Sequence, residues 1–316
     1  MTKRAFLVGC NYTAIPSIQL NGCINDIVHM RNTLVDAYGY QDANIYMLRD
    51  DDANRLPTRA NILKNLTILI GMSQPADTLW VHYSGHGMQI KSLDMDESDK
   101  LDECIVPCNY NIAGIITDNE LFAIFKNAKC KMIICFDSCN SGTGCDLQYS
   151  TNYNNGSFFK VTNNSKYIAD TNIIMFSGCR DYQTSADAYD STSRRSVGAF
   201  TQTFLETLRA SDHNIALMPF YMNLCANLKS FGFTQIPVLS STIPSPSFQF
   251  SRENANGITT STSASTNASA TAKKELELPD NVGSPIAVQR PAAPSPPPKS
   301  SAKSLRGLMA SLIGAR

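Results

Sequence analysis

The chain of 316 residues lacks an excess of charge of either sign, because 27 Lys and Arg residues balance 27 Asp and Glu residues. Dedicated nucleic-acid binders usually carry a positive surplus, so we expect no nucleic-acid partner. No apolar run approaches the roughly 18 residues that a membrane-spanning helix needs. The N-terminal segment has too few apolar residues before Asn11 for a secretory signal, which favours a cytoplasmic location.

The sequence also lacks any Cys-x-x-Cys pair, although it contains ten cysteines. A zinc site built from four cysteines is therefore not expected. Several cysteines stand inside apolar runs, as Cys135 does, and we interpret most of them as small buried apolar residues in a reducing compartment. One or two thiols remain for chemistry.

Aromatic residues are missing from residues 251–316, which are rich in Ser, Thr, Ala and Pro. Such a composition cannot bury enough apolar area to offset chain entropy. We predict a folded domain over 1–250, a disordered linker over 251–302 and a short basic amphipathic tail over 303–316. The tail is either a segment that docks on a partner or an anionic membrane, or a frayed end, since Gly307 and Gly314 weaken a helix there.

Apolar strands alternate with helical segments through residues 1–250. Strands that are apolar on both faces and separated by helices indicate a mostly parallel sheet with helices on both faces, an α/β sandwich. The predicted strands are Arg4–Cys10, Asn44–Leu48, Thr78–Tyr83, Cys130–Asp137 and Asn172–Ser177. The predicted helices are Cys23–Tyr38, Thr58–Ile70, Glu120–Lys126 with Asp118 as its cap, Gly198–Arg209 and Ile215–Lys229.

Two of these strands end in residues that can react. One runs into Ser84, Gly85 and His86, and the other ends at Asp137, immediately before Ser138 and Cys139. Reactive groups gather at the carboxyl ends of parallel strands. The pair predicts nucleophilic acyl transfer, with Cys139 as nucleophile and His86 as general base and acid. Backbone N–H groups of Gly85 and Cys139 are the candidate oxyanion donors.

Seven blocks over residues 4–240 resemble a metacaspase, a caspase-related cysteine peptidase of the caspase–hemoglobinase fold. The blocks are Leu20–Asp26, Tyr83–Gly87, Leu101–Pro107, Ile116–Leu121, Asp137–Gly144, Ser177–Asp187 and Gly198–Thr201. The resemblance implies a cysteine endopeptidase that acts as a monomer on protein or peptide substrates. It gives the catalytic roles to His86 and Cys139.

Cleavage after Arg or Lys is a further implication of the resemblance. The family's acidic S1 pocket falls on Cys23, Asp26, Ser84 and Asp137, and two carboxylates can hold a guanidinium through paired hydrogen bonds. Without the resemblance, Asp26 reads more simply as an acidic residue in the first turn of a helix.

An acidic stretch over 94–103 offers hard oxygen ligands of the kind that calcium prefers. By resemblance the calcium ligands are Asp102, Asp118, Asn119 and Asp146, with Asn119 in a place where the family has an aspartate. We therefore expect calcium as an activator with weakened affinity. The alternative is a solvated acidic loop in which Asp118 only caps the following helix.

Asn140 also departs from the family, which usually has histidine after the nucleophile. The first strand starts within a few residues of Met1, and the connection beyond Cys139 is short. We therefore expect a type I-like unit without an N-terminal prodomain. Self-processing is expected in the loop at Lys160 or Lys166, or at Arg194 and Arg195. The alternative function is a weakly active or inactive caspase-like scaffold that acts through its C-terminal tail.

Overall fold

The computed structural model describes residues 1–91, 101–138, 147–152, 157–160, 168, 171–178, 187–190, 195–233 and 235–253. By internal packing the chain divides into Met1–Thr259 and Thr260–Arg316. The second unit lies outside the described residues, so the predicted linker and tail remain predictions. No helix in the described part of the chain is both long and apolar enough to span a membrane.

The β-strands in the described part of the chain are numbered in chain order. They are β1 (Lys3–Gly9), β2 (Ile45–Arg49), β3 (Thr78–Ser84), β4 (Gly87–Lys91), β5 (Leu101–Ile105), β6 (Ile116–Thr117), β7 (Lys131–Asp137), β8 (Tyr149–Asn152), β9 (Ser157–Lys160), β10 (Ile173–Ser177), β11 (Asp187–Asp190), β12 (Arg195–Gly198), β13 (Ile215–Ala216), β14 (Val238–Ser241) and β15 (Gln249–Phe250).

The helices are α1 (Cys23–Tyr38), α2 (Arg59–Met72), α3 (Tyr110–Ala113), α4 (Asp118–Phe125), α5 (Ala199–Ala210) and α6 (Leu217–Ser230). Short 3-10 turns cover Pro16–Ile18 and Asp42–Asn44. All five predicted strands and all five predicted helices are present, and most of their ends lie within two residues of the prediction.

The main sheet has the strand order β2-β1-β3-β7-β10-β14-β8-β9. The five strands from β2 to β10 are parallel, whereas β14, β8 and β9 are added antiparallel. The α/β sandwich with a mostly parallel sheet is therefore confirmed. The hairpin of β8 and β9, which the sequence patterns did not indicate, pairs with the edge of β14.

Helices pack on both faces of this sheet. Residues Ala5 and Leu7 of β1 join a core with apolar side chains of α1, α5 and α6. Phe6 and Val8 of the same strand are equally buried but point to the opposite face, because successive strand residues alternate. Helix α2 contacts β1 and α4, so α2 and α4 form the second layer.

Local capping explains where the helices begin and end. Helix α1 stops at Gly39, which adopts a left-handed conformation with φ 66°. Thr117, and not the predicted Asp118, caps α4: its hydroxyl accepts from the Glu120 N–H while the Glu120 carboxylate accepts from the Thr117 N–H. The Asp118 side chain is thereby available for another role.

Candidate active site

The two predicted reactive segments leave the sheet side by side. Strands β3 and β7 are parallel neighbours, and their register places Ser84 opposite Asp137. His86 follows Ser84 by two residues, just as Cys139 follows Asp137. The backbone therefore brings both segments to one edge of the sheet, although Cys139 itself lies outside the described residues.

The backbone N–H of Gly85 donates a hydrogen bond to the carbonyl of Asp137 at 3.2 Å. This bond extends the pairing of β3 with β7 by one residue. The predicted use of the Gly85 N–H as an oxyanion donor does not fit this arrangement, because the group is already engaged within the fold. The other predicted donor, the N–H of Cys139, lies outside the described residues.

Asp26 lies in the first turn of α1, but its carboxylate binds other elements. One oxygen accepts a hydrogen bond from the hydroxyl of Ser84 at 2.6 Å, and the other accepts from the N–H of Gly198 at 2.8 Å. Asp26 is 1% exposed. The simpler interpretation of Asp26 as a helix N-terminal residue favoured by the helix dipole is therefore incomplete.

Asp137 is the last residue of β7, and its carboxylate binds the start of α5. One oxygen accepts from the N–H of Thr201 at 2.9 Å and from the Thr201 hydroxyl at 2.8 Å. Thr201 lies in the first turn of α5, where N–H groups have no partner within the helix. The N-terminal end of a helix stabilises negative charge, so α5 is a suitable anchor for this buried carboxylate.

Gly198, the residue before α5, separates the two carboxylates. A Cβ atom at this position would overlap one oxygen of Asp137 and lie 2.8 Å from one oxygen of Asp26. Both carboxylates thus pack against the same backbone position, and only glycine can stand there without displacing them. We call Asp26 and Asp137 the carboxylate pair.

Cys23, the fourth residue of the predicted pocket, is the first residue of α1. It is buried, and its N–H donates a hydrogen bond to the side-chain oxygen of Asn11 at 3.0 Å. The structure therefore gathers Cys23, Asp26, Ser84 and Asp137 from α1, β3 and β7 at the carboxyl ends of the parallel strands.

His86 is partly buried, and its Nε2 lies 2.7 Å from the carbonyl oxygen of Ile18. A carbonyl only accepts hydrogen bonds, so Nε2 carries the proton and Nδ1 is the basic nitrogen of the neutral ring. Burial lowers the pKa of His86, and the Ile18 carbonyl opposes part of that shift. The imidazole is therefore neutral at pH 7, as a general base requires.

Sequence reasoning missed the residues that hold these groups. The segment Gly198–Thr201 was recognised as a family block, but no role was assigned to Gly198 or to Thr201. Tyr12 and Ile18, which contact His86, gave no signal beyond their place in a loop. Their roles depend on contacts between residues far apart in the chain.

The predicted calcium ligands Asp102, Asp118 and Asn119 lie on β5 and at the start of α4. Asp118 is fully buried and accepts hydrogen bonds from the N–H of Glu103 at 3.0 Å and of Asn119 at 2.6 Å. After burial, the charges of Asp118 and Asp102 are the main influences that raise the pKa of the Cys104 thiol. Both aspartates therefore lie near Cys104.

One carboxylate oxygen of Asp102 is buried and has no hydrogen-bond partner among the described residues. A buried, unsatisfied carboxylate oxygen fits a hard cation such as calcium. Within the described ranges, however, no three His, Cys, Asp or Glu side chains are grouped to hold a metal. The set needs further oxygen atoms, which Asn119 and the predicted Asp146, outside the described residues, would supply.

Comparison with known proteins gives consistent family matches. The family model of the metacaspase peptidase C14 domain matches residues 3–148. Metacaspase-1B of Neosartorya fischeri is 32% identical over 292 residues, covering 77% of this chain and 69% of that one. Metacaspase-1 of Meyerozyma guilliermondii is 33% identical over 294 residues, covering 77% and 70%.

Among solved structures, a protein from Geobacter sulfurreducens aligns with a TM-score of 0.55 at 20% sequence identity. The alignment covers 78% of this chain and 96% of that one. A likeness at this identity concerns the fold alone, and it agrees with the sandwich described above.

Proposed function

This chain belongs to the metacaspase family of caspase-like cysteine peptidases, and we propose that it is an endopeptidase that cleaves after Arg or Lys. The observation that carries this specificity is the carboxylate pair. Two buried carboxylates pack against the backbone of Gly198, next to the strand ends that lead to His86 and Cys139. A guanidinium or ammonium is the substrate group that this charge would bind.

The carboxylates are fixed before a substrate arrives. The Ser84 hydroxyl, the Gly198 N–H and both donors of Thr201 each hold one of their oxygens. Carboxylates held in this way need little rearrangement to receive a cation, and such preorganisation lowers the cost of binding. An apolar or acidic substrate side chain would instead leave the negative charge uncompensated.

In the proposed reaction, Nδ1 of His86 accepts the thiol proton of Cys139, and the thiolate attacks the carbonyl carbon of the substrate's Arg or Lys. His86 then donates this proton to the leaving amine as the C–N bond breaks, which leaves a thioester on Cys139. Water attacks the thioester while His86 accepts its proton. The proton returns to the sulfur as the C–S bond breaks and the carboxylate product leaves.

We also propose calcium as an activator. Asp102, Asp118, Asn119 and Asp146 would hold the ion, whose positive charge would offset the negative charge of the carboxylates. The unsatisfied oxygen of Asp102 supports this proposal. Asn119 offers an uncharged oxygen in place of a carboxylate, so the proposed affinity is low.

Self-processing is a further part of the proposal. Lys160 pairs with Tyr149 in the β8–β9 hairpin, and Arg195 pairs with Asp190 in the hairpin of β11 and β12. Peptidases bind extended, unpaired chain, so pairing disfavours cleavage at these two residues. Of the predicted sites, Lys166 and Arg194 are outside the described residues and are the ones we propose.

A monomer is the proposed working unit. The edge of β14 is covered by the β8–β9 hairpin of the same chain, so a second copy cannot extend the sheet at that strand. Sedimentation of the purified protein across a range of concentrations tests this proposal.

The function is tested with fluorogenic peptides that end in Arg, Lys or Asp, assayed with and without calcium. We expect turnover of the Arg and Lys peptides, none of the Asp peptide, and none by Cys139→Ala. Preference for Asp would refute the role of the carboxylate pair. A folded protein without any turnover would instead favour the scaffold function.

A further inference from the structure

Tyr12 contacts His86 in two ways. The tyrosine ring packs against the imidazole with centroids 4.8 Å apart and planes inclined by 32°. The tyrosine hydroxyl accepts a hydrogen bond from the backbone N–H of His86 at 3.0 Å. One side chain therefore contacts both the ring and the backbone of the candidate base.

The hydroxyl of Tyr12 belongs to a network that fastens His86 to Val106. Tyr12 donates its single hydroxyl proton to the Val106 carbonyl at 2.6 Å, while Tyr83 donates to the His86 carbonyl at 2.8 Å. The Val106 N–H in turn donates to the Tyr83 hydroxyl at 3.2 Å. Each backbone group of His86 is thus held by a different phenol.

The network also explains why residue 85 is glycine. A Cβ atom at Gly85 would lie 2.6 Å from the hydroxyl oxygen of Tyr83 and 3.0 Å from that of Tyr12. The two phenols therefore lie directly against the backbone that precedes His86. Any side chain at position 85 would displace them.

Tyr12 occupies a backbone conformation that non-glycine residues rarely adopt, with φ 55°. Asp50 stabilises it from outside the loop: its carboxylate accepts hydrogen bonds from the N–H of Asn11 at 2.9 Å and of Thr13 at 3.3 Å, on either side of Tyr12. The Tyr12 carbonyl then accepts from the Ile15 N–H at 2.8 Å. The next turn of the same loop supplies the Ile18 carbonyl that binds Nε2 of His86.

We infer that Tyr12, clamped by Asp50, is a positioning residue that sets the orientation of the His86 imidazole for catalysis. The inference rests on the proposed function, in which His86 is the base. The strained backbone conformation at position 12 is tolerated because the side chain there contacts both His86 and Val106. Tyr12 acts through His86 and has no proposed contact with the substrate.

The test compares Tyr12→Phe, which keeps the ring, with Tyr12→Leu, which removes it, in the full-length protein. Tyr46→Phe is the control, because Tyr46 is an exposed tyrosine on β2. For Tyr12→Phe we expect kcat to fall about tenfold with KM changed less than twofold, since positioning of the base and not substrate binding is disturbed. For Tyr12→Leu we expect an additional shift of the acid limb of kcat/KM to higher pH, because water reaches the imidazole and removes the burial that lowers the pKa of His86.

Asp50→Asn provides a second test that leaves the buried side chains intact and loosens only the loop. We expect kcat to fall here as well, by about one third of the fold-change expected for Tyr12→Phe. Unfolding temperatures of all variants show whether a loss of kcat comes from a loss of folded protein. Wild-type kcat in both Tyr12→Phe and Asp50→Asn would overturn the inference.

His86→Ala separates this inference from the proposed function. Full activity in His86→Ala would refute the catalytic role of His86 itself. An inactive His86→Ala beside fully active Tyr12 variants would refute only the positioning role. Iodoacetamide alkylation of Cys139, followed by mass spectrometry across pH, is an independent readout of how well the base activates the thiol.

Discussion

The carboxylate pair and the aspartates of the second group, Asp102 and Asp118, are both buried, but they are held differently. In the pair, donors from β3, the Gly198 position and α5 reach the carboxylates across the fold. In the second group the donors to Asp118 are backbone N–H groups of Glu103 and Asn119. One oxygen of Asp102 is left without a hydrogen bond among the described residues.

The difference shows how one kind of side chain can be prepared for two ligands. Carboxylates whose orientation is fixed by distant donors are suited to a planar organic cation of defined shape. A carboxylate with an unsatisfied oxygen atom, as in Asp102, is suited to a metal ion that collects ligands around itself. Each of the following changes tests one side of this comparison.

Gly198→Ala is expected to have the largest effect. Its methyl group overlaps the Asp137 carboxylate and displaces the carboxylate pair, so kcat/KM for an Arg peptide should fall about a thousandfold, equivalent to about 4 kcal/mol. Peptide assays and thermal unfolding measure the two consequences.

Gly71→Ala is the matched control, because Gly71 lies in α2 with open space around it. Alanine in a helix is favoured over glycine by about 1 kcal/mol, so this variant should be slightly more stable and fully active. Retained Arg cleavage in Gly198→Ala would break the link between the pair and specificity.

His82 lies behind the carboxylate pair, with Nε2 at 3.4 Å from the Thr201 hydroxyl. Complete burial lowers the pKa of His82 from 6.5 to about 3. Below pH 6.5 His82 is therefore protonated in the unfolded chain but stays neutral in the folded chain. As a result, the free energy of unfolding should fall as the pH drops from 6.5 toward 3, by up to about 1.4 kcal/mol per pH unit.

The contribution of His82 is isolated by His82→Gln, which does not titrate. Urea unfolding of both proteins at pH 7, 6 and 5 should show a shallower decline in the variant. Two parallel curves would mean that His82 does not contribute to the acid sensitivity.

Asp102→Asn tests the second acidic group. Loss of one carboxylate charge should raise the calcium concentration required for half-maximal activity about tenfold, while activity at saturating calcium is retained. Asp212→Asn is the control, since Asp212 is exposed and far from this group in sequence. An unchanged calcium response in Asp102→Asn would favour the alternative of a solvated loop.

Thr201→Val should give the smallest change. The variant keeps the backbone N–H that binds Asp137 but loses the hydroxyl, so kcat/KM for the Arg peptide should fall about fivefold, equivalent to about 1 kcal/mol. Thr201→Ser retains the hydroxyl and should restore most of the activity. Equal activity of the two variants would show that the hydroxyl is dispensable for holding Asp137.

The fold was largely predictable because the central strands carry a strong local signal. Strand β7 is apolar on both faces, and helix α1 repeats its apolar residues with the period of a helix. The β8–β9 hairpin was not predicted, since its polar sequence shows neither pattern. Asp118 was assigned as a cap because Thr117, one residue earlier, was overlooked as the start of a capping box.

The strand-end rule predicts the positions of His86 and Cys139, and the family resemblance adds the pocket residues. Neither predicts the donors that orient the acids. Thr201 is part of an ordinary amphipathic helix, and its bond to Asp137 spans 64 positions of the sequence. Gly85 was misjudged because a sequence does not show which backbone N–H groups the sheet already uses.

The hydrogen bond between Asp26 and Gly198 joins positions that are 172 residues apart, and this distance has a consequence for synthesis. A chain emerging from the ribosome has its first strands and its nucleophile long before residue 198 leaves the exit tunnel. Until that moment the acids lack the donors that Gly198 and Thr201 supply. Under the proposed function, recognition of arginine therefore matures late in translation, and an incomplete peptidase is unable to digest neighbouring nascent proteins.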